Sequence, residues 1–398
     1  MAPDELAAWL RLSVTPGVGP GSARRLLAAL GLPQAIFQAG VDALQQLVSA
    51  RQTDALLSFP PHFEALLART QAWLDSASDA AAGGLQRQIV TLGDADYPSA
   101  LLQMEDPPLL LYVQGLGQLS ELDASRCLAM VGSRRPTPQG AGNARQFAHA
   151  LAEAGLTVVS GLALGVDGAA HEGALQGVLP DVPRGAVVLN PGQPATLRTV
   201  AVVGTGLDRV YPSQHRDLAH RIAASGLLIS EYPLGTPPLA ANFPRRNRLI
   251  AGLSRATLVV EAALKSGSLI TARLASEQGK DVLAIPGSIH SAQSRGCHAL
   301  IKQGAKLVES AEDVLEEFGV DFAINNIAKE DGMVRLESTN DTESSLLQAL
   351  GYDPVSLDAL QARTGLPTAD LQAQLLSLEL DGVVTRLPGG MFLRMGTG

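Results

Sequence analysis

A chain of 398 residues with 46% hydrophobic and 17% charged residues can bury two or three packed cores, which excludes a protein disordered throughout. Its formal charge of -9 argues against a uniformly basic nucleic-acid coat, the 4% of aromatic residues leaves few rings for stacking, and no apolar run reaches the ~18 residues of a membrane span. Cys127 and Cys297 lie far apart without metal-ligand spacing, and Asp4 and Glu5 stand where a secretory leader needs basic residues, so a reducing cytoplasm is expected.

Residues 1–82 read as a helical module, either helix-hairpin-helix or SAM-like. Within it, "TPGVGPGSARRLLAALG" sets Gly17, Gly19 and Gly21 before an amphipathic run carrying Arg24 and Arg25. A glycine turn opening a helix offers amide N–H groups to a phosphate, and it equally serves as a plain packing turn; both readings stand. From 83 the chain resembles a connector with Pro98, Pro107 and Pro108, ending in the short apolar strand "LLLYVQG".

The pattern changes after Arg126. The runs "CLAMVG", "LTVVSG", "TVAVVG", "GLLISE", "ATLVVEA", "DVLAIPG" and "AKLVES" predict strands buried on both faces. Segments such as "QGAGNARQFAHALAEAG" and "SGSLITARLASEQG" between them predict helices. This α/β alternation, from Arg126 to about Phe318, predicts right-handed crossovers and a mostly parallel sheet covered on both faces. Residues 178–198 hold four prolines and read as a surface insertion, and 319–343 read as a polar linker. Residues 344–398 predict three helices and a hairpin turning at Gly389–Gly390, which is a winged helix. From Asn340 onward it carries seven acids against three arginines, so protein binding or regulation is expected of it, not DNA reading.

In a parallel sheet, ligands sit beyond the carboxyl ends of the strands. Every phosphate-shaped loop here follows a strand. Gly132, Ser133 and Arg134 combine close backbone approach, a hydroxyl and a bidentate cation. Ser160, Gly161 and Gly165 follow the second run, and Gly204, Thr205 and Gly206 follow the third. Lys265, Ser266, Gly267 and Ser268 open a helix, where free N–H groups favour an anion, and Gly287 and Ser288 form a fifth loop. Each alone is as much a turn as a site, and Gly204–Gly206 lacks the third glycine of a dinucleotide fingerprint. Asp167 and His171 share a helix face, but no neighbouring nucleophile or metal cluster gives them acid–base work. Asp167 is expected to cap its helix and His171 to bind a neighbouring backbone group.

The stretch "NFPRRNRLIAGLS" adds Phe243, Arg245, Arg246, Asn247 and Arg248. Residues 242–308 hold ten Lys and Arg against three acids, while 309–398 hold five against sixteen. The basic stretch therefore sits where the loops do, as a confined polyanion site requires.

Taken in order, "VGSRRPT", "SGLALGVDGAAH", "VVGTGLDRVYP", "NFPRRNRLIAGLS", "VVEAALKSGSLITARLASEQGKDVLAIPGS" and "SRGCHALIKQGAKLVES" resemble the signatures of the DNA-processing protein A (DprA/Smf) family over residues 85–318. That resemblance implies an α/β fold with an extended Rossmann-like parallel sheet core over 83–318, which binds single-stranded DNA, protects incoming strands in natural transformation and loads the RecA recombinase. It also implies a homodimer built through the core, no catalysis and no cofactor. It makes Gly132–Arg134 a phosphate pocket and the arginine cluster a lining of the same groove. One of those arginines is expected to brace the segment by pairing with Glu231 or Glu261, with Arg248 the first choice. Phe243 either stacks on a base or plugs the segment from beneath. His215 stands where the family pattern has asparagine, and the 178–198 insertion departs from it too. The alternative class is a nucleotide-binding or nucleotide-hydrolysing Rossmann-like enzyme. Against hydrolysis, "EAALKSGSLITA" lacks the double glycine of a PGGxGTxxE loop and is followed by no acid before Glu277.

Overall fold

The computed structural model of the chain describes residues 2–76, 85–176, 197–319, 346–347, 349–351, 354–387 and 389–394. The expected insertion, apart from its last two residues, and the expected linker, apart from Gly319, lie outside the described residues.

Proline and serine punctuate the first helices. α1 (Pro3–Val14), α2 (Pro20–Leu30) and α3 (Pro33–Gln38) each begin on a proline, whose missing N–H has no partner to lose in a first turn. α4 (Val41–Gln45) and α5 (Ala50–Leu57) follow, the latter opened by a capping box between Ser49 and Gln52, and α6 (Phe63–Asp75) closes the set. Leu12, Leu26, Ile36, Leu44 and Leu56 meet in one buried cluster. Arg24, in the amphipathic run after the glycine turn, is engaged within the protein. It pairs with Asp106 at 2.8 Å and donates to the carbonyls of Glu105 and Pro107, fastening α2 to the stretch that follows.

That stretch is more than a connector. β1 (Gln86–Thr91) and β2 (Leu110–Gly115), with α7 (Ser99–Leu102) between them, pair antiparallel and extend the main sheet. Trp9, Leu10 and Trp73 pack with Tyr112 of β2, so the helical module rests on the sheet face.

The seven apolar runs form β3 (Cys127–Val131), β4 (Thr157–Ser160), β5 (Thr199–Val202), β6 (Leu227–Ser230), β7 (Ala256–Val259), β8 (Asp281–Ala284) and β9 (Lys306–Leu307). β3 to β7 are buried at every position, which is why they lack polar alternation. The sheet order is β1-β2-β6-β5-β4-β3-β7-β8-β9, parallel from β6 to β9, with β2 antiparallel to β6. Between strands run α8 (Pro138–Glu153), α9 (Val166–Gln176), α10 (Arg216–Ala223), α11 (Asn242–Gly252), α12 (Ser268–Glu277) and α13 (Arg295–Lys302), and α14 (Ala311–Phe318) follows the last strand. The period of two sorts the faces. Ala129 and Val131 join Leu249, Ile250 and Ala272 of α11 and α12, whereas Leu128 and Met130 join Leu151, Ala170 and Leu315 of α8, α9 and α14. The segment 242–252, read by sequence as a loop leading into an apolar run, is a full helix.

Farther on, β10 (Val355–Ser356), α15 (Leu357–Thr364), α16 (Thr368–Leu380), β11 (Val384–Leu387) and β12 (Met391–Arg394) form a winged helix around Leu360, Leu371, Leu375 and Phe392. Its wing has a third strand, β10, paired to β12 and not anticipated from sequence. Part of the helix expected in 344–351 lies outside the described residues.

Candidate functional site

All five glycine-rich loops leave the carboxyl ends of parallel strands, so the topology alone gathers them on one rim. A cleft of about 540 Å³ opens there. Gly132, Ser133 and Arg134 line it from the loop after β3, and Phe243, Arg246 and Asn247 from the start of α11. Lys265, Ser266, Gly267 and Ser268 close it at the start of α12. Ser266 caps the start of α12, its hydroxyl accepting from the Ser268 amide at 3.3 Å and its carbonyl from the Leu269 amide at 3.2 Å. The Ser266 and Ser268 hydroxyls lie 2.6 Å apart.

The other residues singled out by sequence shape the walls. Gly132 has no room for a side chain, because a Cβ would stand 2.7 Å from Val166. Gly165 turns with φ +84°, and a Cβ would meet the Ser133 carbonyl at 2.3 Å. Ser160 is buried and donates to the Met130 carbonyl at 2.6 Å. Gly204 lies under the Phe243 ring, Thr205 is buried with its carbonyl accepting from Ser230, and Gly206 packs against Asp208 and Pro233. Arg245 is exposed on α11.

The two arginines that flank Asn247 have opposite surroundings. Arg248 is ion-paired: it meets Glu231, donates to the Asp106 carbonyl at 2.7 Å and has its Nε, which makes no hydrogen bond, 3.6 Å from the Asp106 carboxylate. Burial pushes the Glu231 carboxyl upward, and Arg248 opposes that shift. Arg246 is only 3% exposed, and its Nε and Nη1 have no hydrogen-bond partner. Burial pulls its pKa down to about 10, partly opposed by Asp167. Burial likewise raises the Asp167 carboxyl, against the pull of Arg246. Leaving a buried charged donor unsatisfied costs more than the ~1–3 kcal/mol of a neutral one. An anion in the cleft would remove that cost. Gly161 makes the arrangement possible, since a Cβ there would lie 1.6 Å from Arg246 Nη1.

α11 is held at both ends. Asn242 Nδ2 donates to the Gly204 carbonyl at 3.1 Å, and Lys280 Nζ donates to the carbonyls of Ala251 and Gly252 at 2.8 and 2.7 Å. Lys280 suits the negative end of the helix dipole, although burial lowers its pKa to about 8. The arginines near the other end oppose the dipole and one another, a conflict that an anion also relieves.

Phe243 is half-buried, 5.4 Å from the Tyr211 ring, with the Arg134 guanidinium 5.8 Å away. Tyr211, 48% exposed, was missed by sequence reasoning; its signal was an aromatic residue directly after a glycine loop. Asp167, also lining the cleft, accepts from the Ala163 amide at 3.4 Å. His171 meets a hydroxyl and not the expected backbone group. Its Nδ1 lies 2.7 Å from Thr199 Oγ1, whose own hydrogen goes to the Val158 carbonyl, so Nδ1–H donates. Burial lowers its pKa to about 3. His215 donates from Nδ1 to the Leu162 carbonyl at 3.0 Å, tying down a left-handed residue at φ +58°. Glu261 takes no arginine: it accepts from the amide and hydroxyl of Thr137, the N-cap of α8. Glu277 sits at the far end of α12, paired with Arg273 at 3.3 Å.

The family model for DNA recombination-mediator protein A matches residues 88–319, the span that holds the whole rim. The chain belongs to the DNA recombination-mediator protein A family. A DprA winged helix domain model matches residues 334–390 as well. Among relatives of the family, Protein Smf of Escherichia coli (strain K12) is 39% identical over 363 residues, covering 89% of this chain and 87% of its own length. DNA processing protein DprA of Streptococcus pneumoniae (strain ATCC BAA-255 / R6) is 45% identical over 225 residues, 56% of this chain and 72% of the relative. An X-ray structure of DprA from Streptococcus pneumoniae superposes with a TM-score of 0.55 at 36% identity, covering 78% of this chain and 96% of that one. In this family member, among the described residues, every cleft-lining side chain lies inside the matched core.

Proposed function

We propose that this protein binds single-stranded DNA along the rim cleft and serves DNA processing. The observation that carries the reading is Arg246, a buried guanidinium with two unpartnered N–H groups at a cleft already lined by a Gly-Ser-Arg loop and a helix N-terminus. Phosphate supplies the acceptors that these donors lack. The adjoining rings of Phe243 and Tyr211 favour a strand with unpaired bases, since a base stacks on an aromatic face only when it is out of a duplex. Nothing in such contacts reads base edges, so little sequence preference is expected. The family name and the DNA-processing names of its relatives support the same reading.

The finer role follows the family resemblance. The protein protects incoming strands in transformation, loads RecA onto them and acts as a cytoplasmic homodimer built through the core, without catalysis. RecA filament growth on single-stranded DNA should quicken when the protein is added; an unchanged lag would overturn the loading role.

Fluorescence anisotropy over a salt series tests the cleft. Affinity should favour single over double strands, and log affinity should fall with log salt at about -0.7 per phosphate engaged. Arg134→Ala should lower affinity about tenfold or more, the ~1.5–3 kcal/mol of a charge-assisted contact. A shallow slope together with full displacement by a mononucleotide would instead assign the cleft to a small ligand.

A further inference from the structure

A second cavity of about 390 Å³ lies on the other side of the rim, between α6 and α10. Trp73 and Arg87 border it on the α6 side, and Arg209, Arg216 and His220 on the α10 side. Leu162, Val203 and Leu228 line it from the sheet, in the cluster packed under α10, whereas α11 and α12 pack on the opposite face. Three arginines meet one carboxylate, Asp208, whose Oδ1 already accepts from the Gly235 amide. Arg216 and His220 are exposed, and neither has a carboxylate partner among the described residues. Arg87 lies over the Trp73 ring at 5.5 Å. An apolar wall beside Arg216 and His220, with Arg209 paired to Asp208 only at 3.7 Å and Arg87 donating to the Trp73 carbonyl, suits a ligand with a flat apolar body and an anionic edge, which is the chemistry of a nucleotide.

The two cavities are lined by residues that are neighbours in the chain. Leu162 lines the second and Ala163 the first. Val203 lines the second, while Gly204 lies under Phe243 of the first. Val210 lines the second, and Tyr211 reaches over to the Phe243 ring. A strand leaving the main cleft over Tyr211 therefore comes directly upon the second set of cations.

We propose that this second cavity is a further nucleotide subsite, filled by a segment of the same single strand that occupies the main cleft. The proposal rests on the reading of that cleft as a DNA site.

The test uses the full chain, the Arg209→Ala/Arg216→Ala double variant and two oligothymidylates. One of about 5 nucleotides spans the main cleft only, and one of about 20 reaches both. The double variant should bind the long oligonucleotide about tenfold more weakly, with the salt slope flattened by about 1.4, two contacts' worth, and should bind the short one normally. Tryptophan emission gives a second readout: Trp73 lines the cavity, and Trp9, the other of the two tryptophans, is 1% exposed. The long oligonucleotide should change the emission and the short one should not. Unchanged binding of the long oligonucleotide, or equal weakening of both lengths, would overturn the proposal. So would a change in emission caused by thymidine monophosphate alone and abolished in the double variant, since the cavity would then take free nucleotides. Arg134→Ala reports on the main cleft separately. If it binds both lengths normally while the double variant weakens the long one, the main-cleft reading fails and the second cavity stands as a strand site of its own.

Discussion

The rim of the core and the winged helix are both architectures that meet DNA in other proteins, and here they carry opposite charge. Residues 242–308 hold ten basic residues against three acids, and residues 309–398 hold five against sixteen. At the rim, Arg246 is buried with Nε and Nη1 lacking hydrogen-bond partners. On α16, where a recognition helix would present cations, the charged residues are Asp370 and Glu379, and Leu376 and Leu380 are exposed. A fold does not bring its usual partner with it; the placement of charge within the fold assigns the work. The whole-chain charge of -9 averages these two regions and describes neither.

Substitutions at the rim and loss of the winged helix test that contrast. Arg246→Ala should have the largest effect, lowering single-strand affinity about 10- to 100-fold with at most a small drop in the thermal midpoint, because the guanidinium lacks hydrogen-bond partners at Nε and Nη1 and gives up only its attraction to Asp167. A lower midpoint with normal affinity would make Arg246 a structural residue and break the contrast. Gly161→Ala should follow, weakening binding about tenfold through the displaced guanidinium, with a charge-assisted contact at stake. Arg245→Ala, on the exposed side of α11, should lower affinity a few-fold and flatten the salt slope by about 0.7, one phosphate. Ending the chain near residue 330 should change affinity least, by about twofold or less at a fixed salt concentration, given its acidic balance. A large loss there would place DNA on the winged helix and erase the distinction.

Much of this was legible in the sequence because burial on both faces leaves a plain mark. The apolar runs of β3 to β7 needed no tertiary context to be read as strands, and their order put the loops on one rim. α11 was not read, because its polar first half hides a helical stripe. Arg246, Leu249, Ile250 and Leu253 recur at helical spacing, and the stripe appears only when a buried arginine counts as an inward residue. The same exception hid the difference between Arg246 and Arg248: the brace by Glu231 was foreseeable, the unpartnered neighbour was not. β1 was missed because Gln86, Arg87 and Gln88 sit toward the sheet edge, where polar side chains are tolerated. Tyr211 and the second cavity arise from loops that meet only in three dimensions.

Asp106 joins parts of the chain that are remote in sequence. Its carboxylate meets Arg24 of α2 and lies near Arg248 of α11, and its carbonyl accepts from Arg248. The helical module and the arginine helix thus lean on a single residue. Anyone building chimeras by exchanging α1 to α6 between relatives would be altering the electrostatic footing of the rim cleft without touching it. A graft that lacks an arginine at position 24 would leave Asp106 to Arg248 alone, and would disturb α11 from behind.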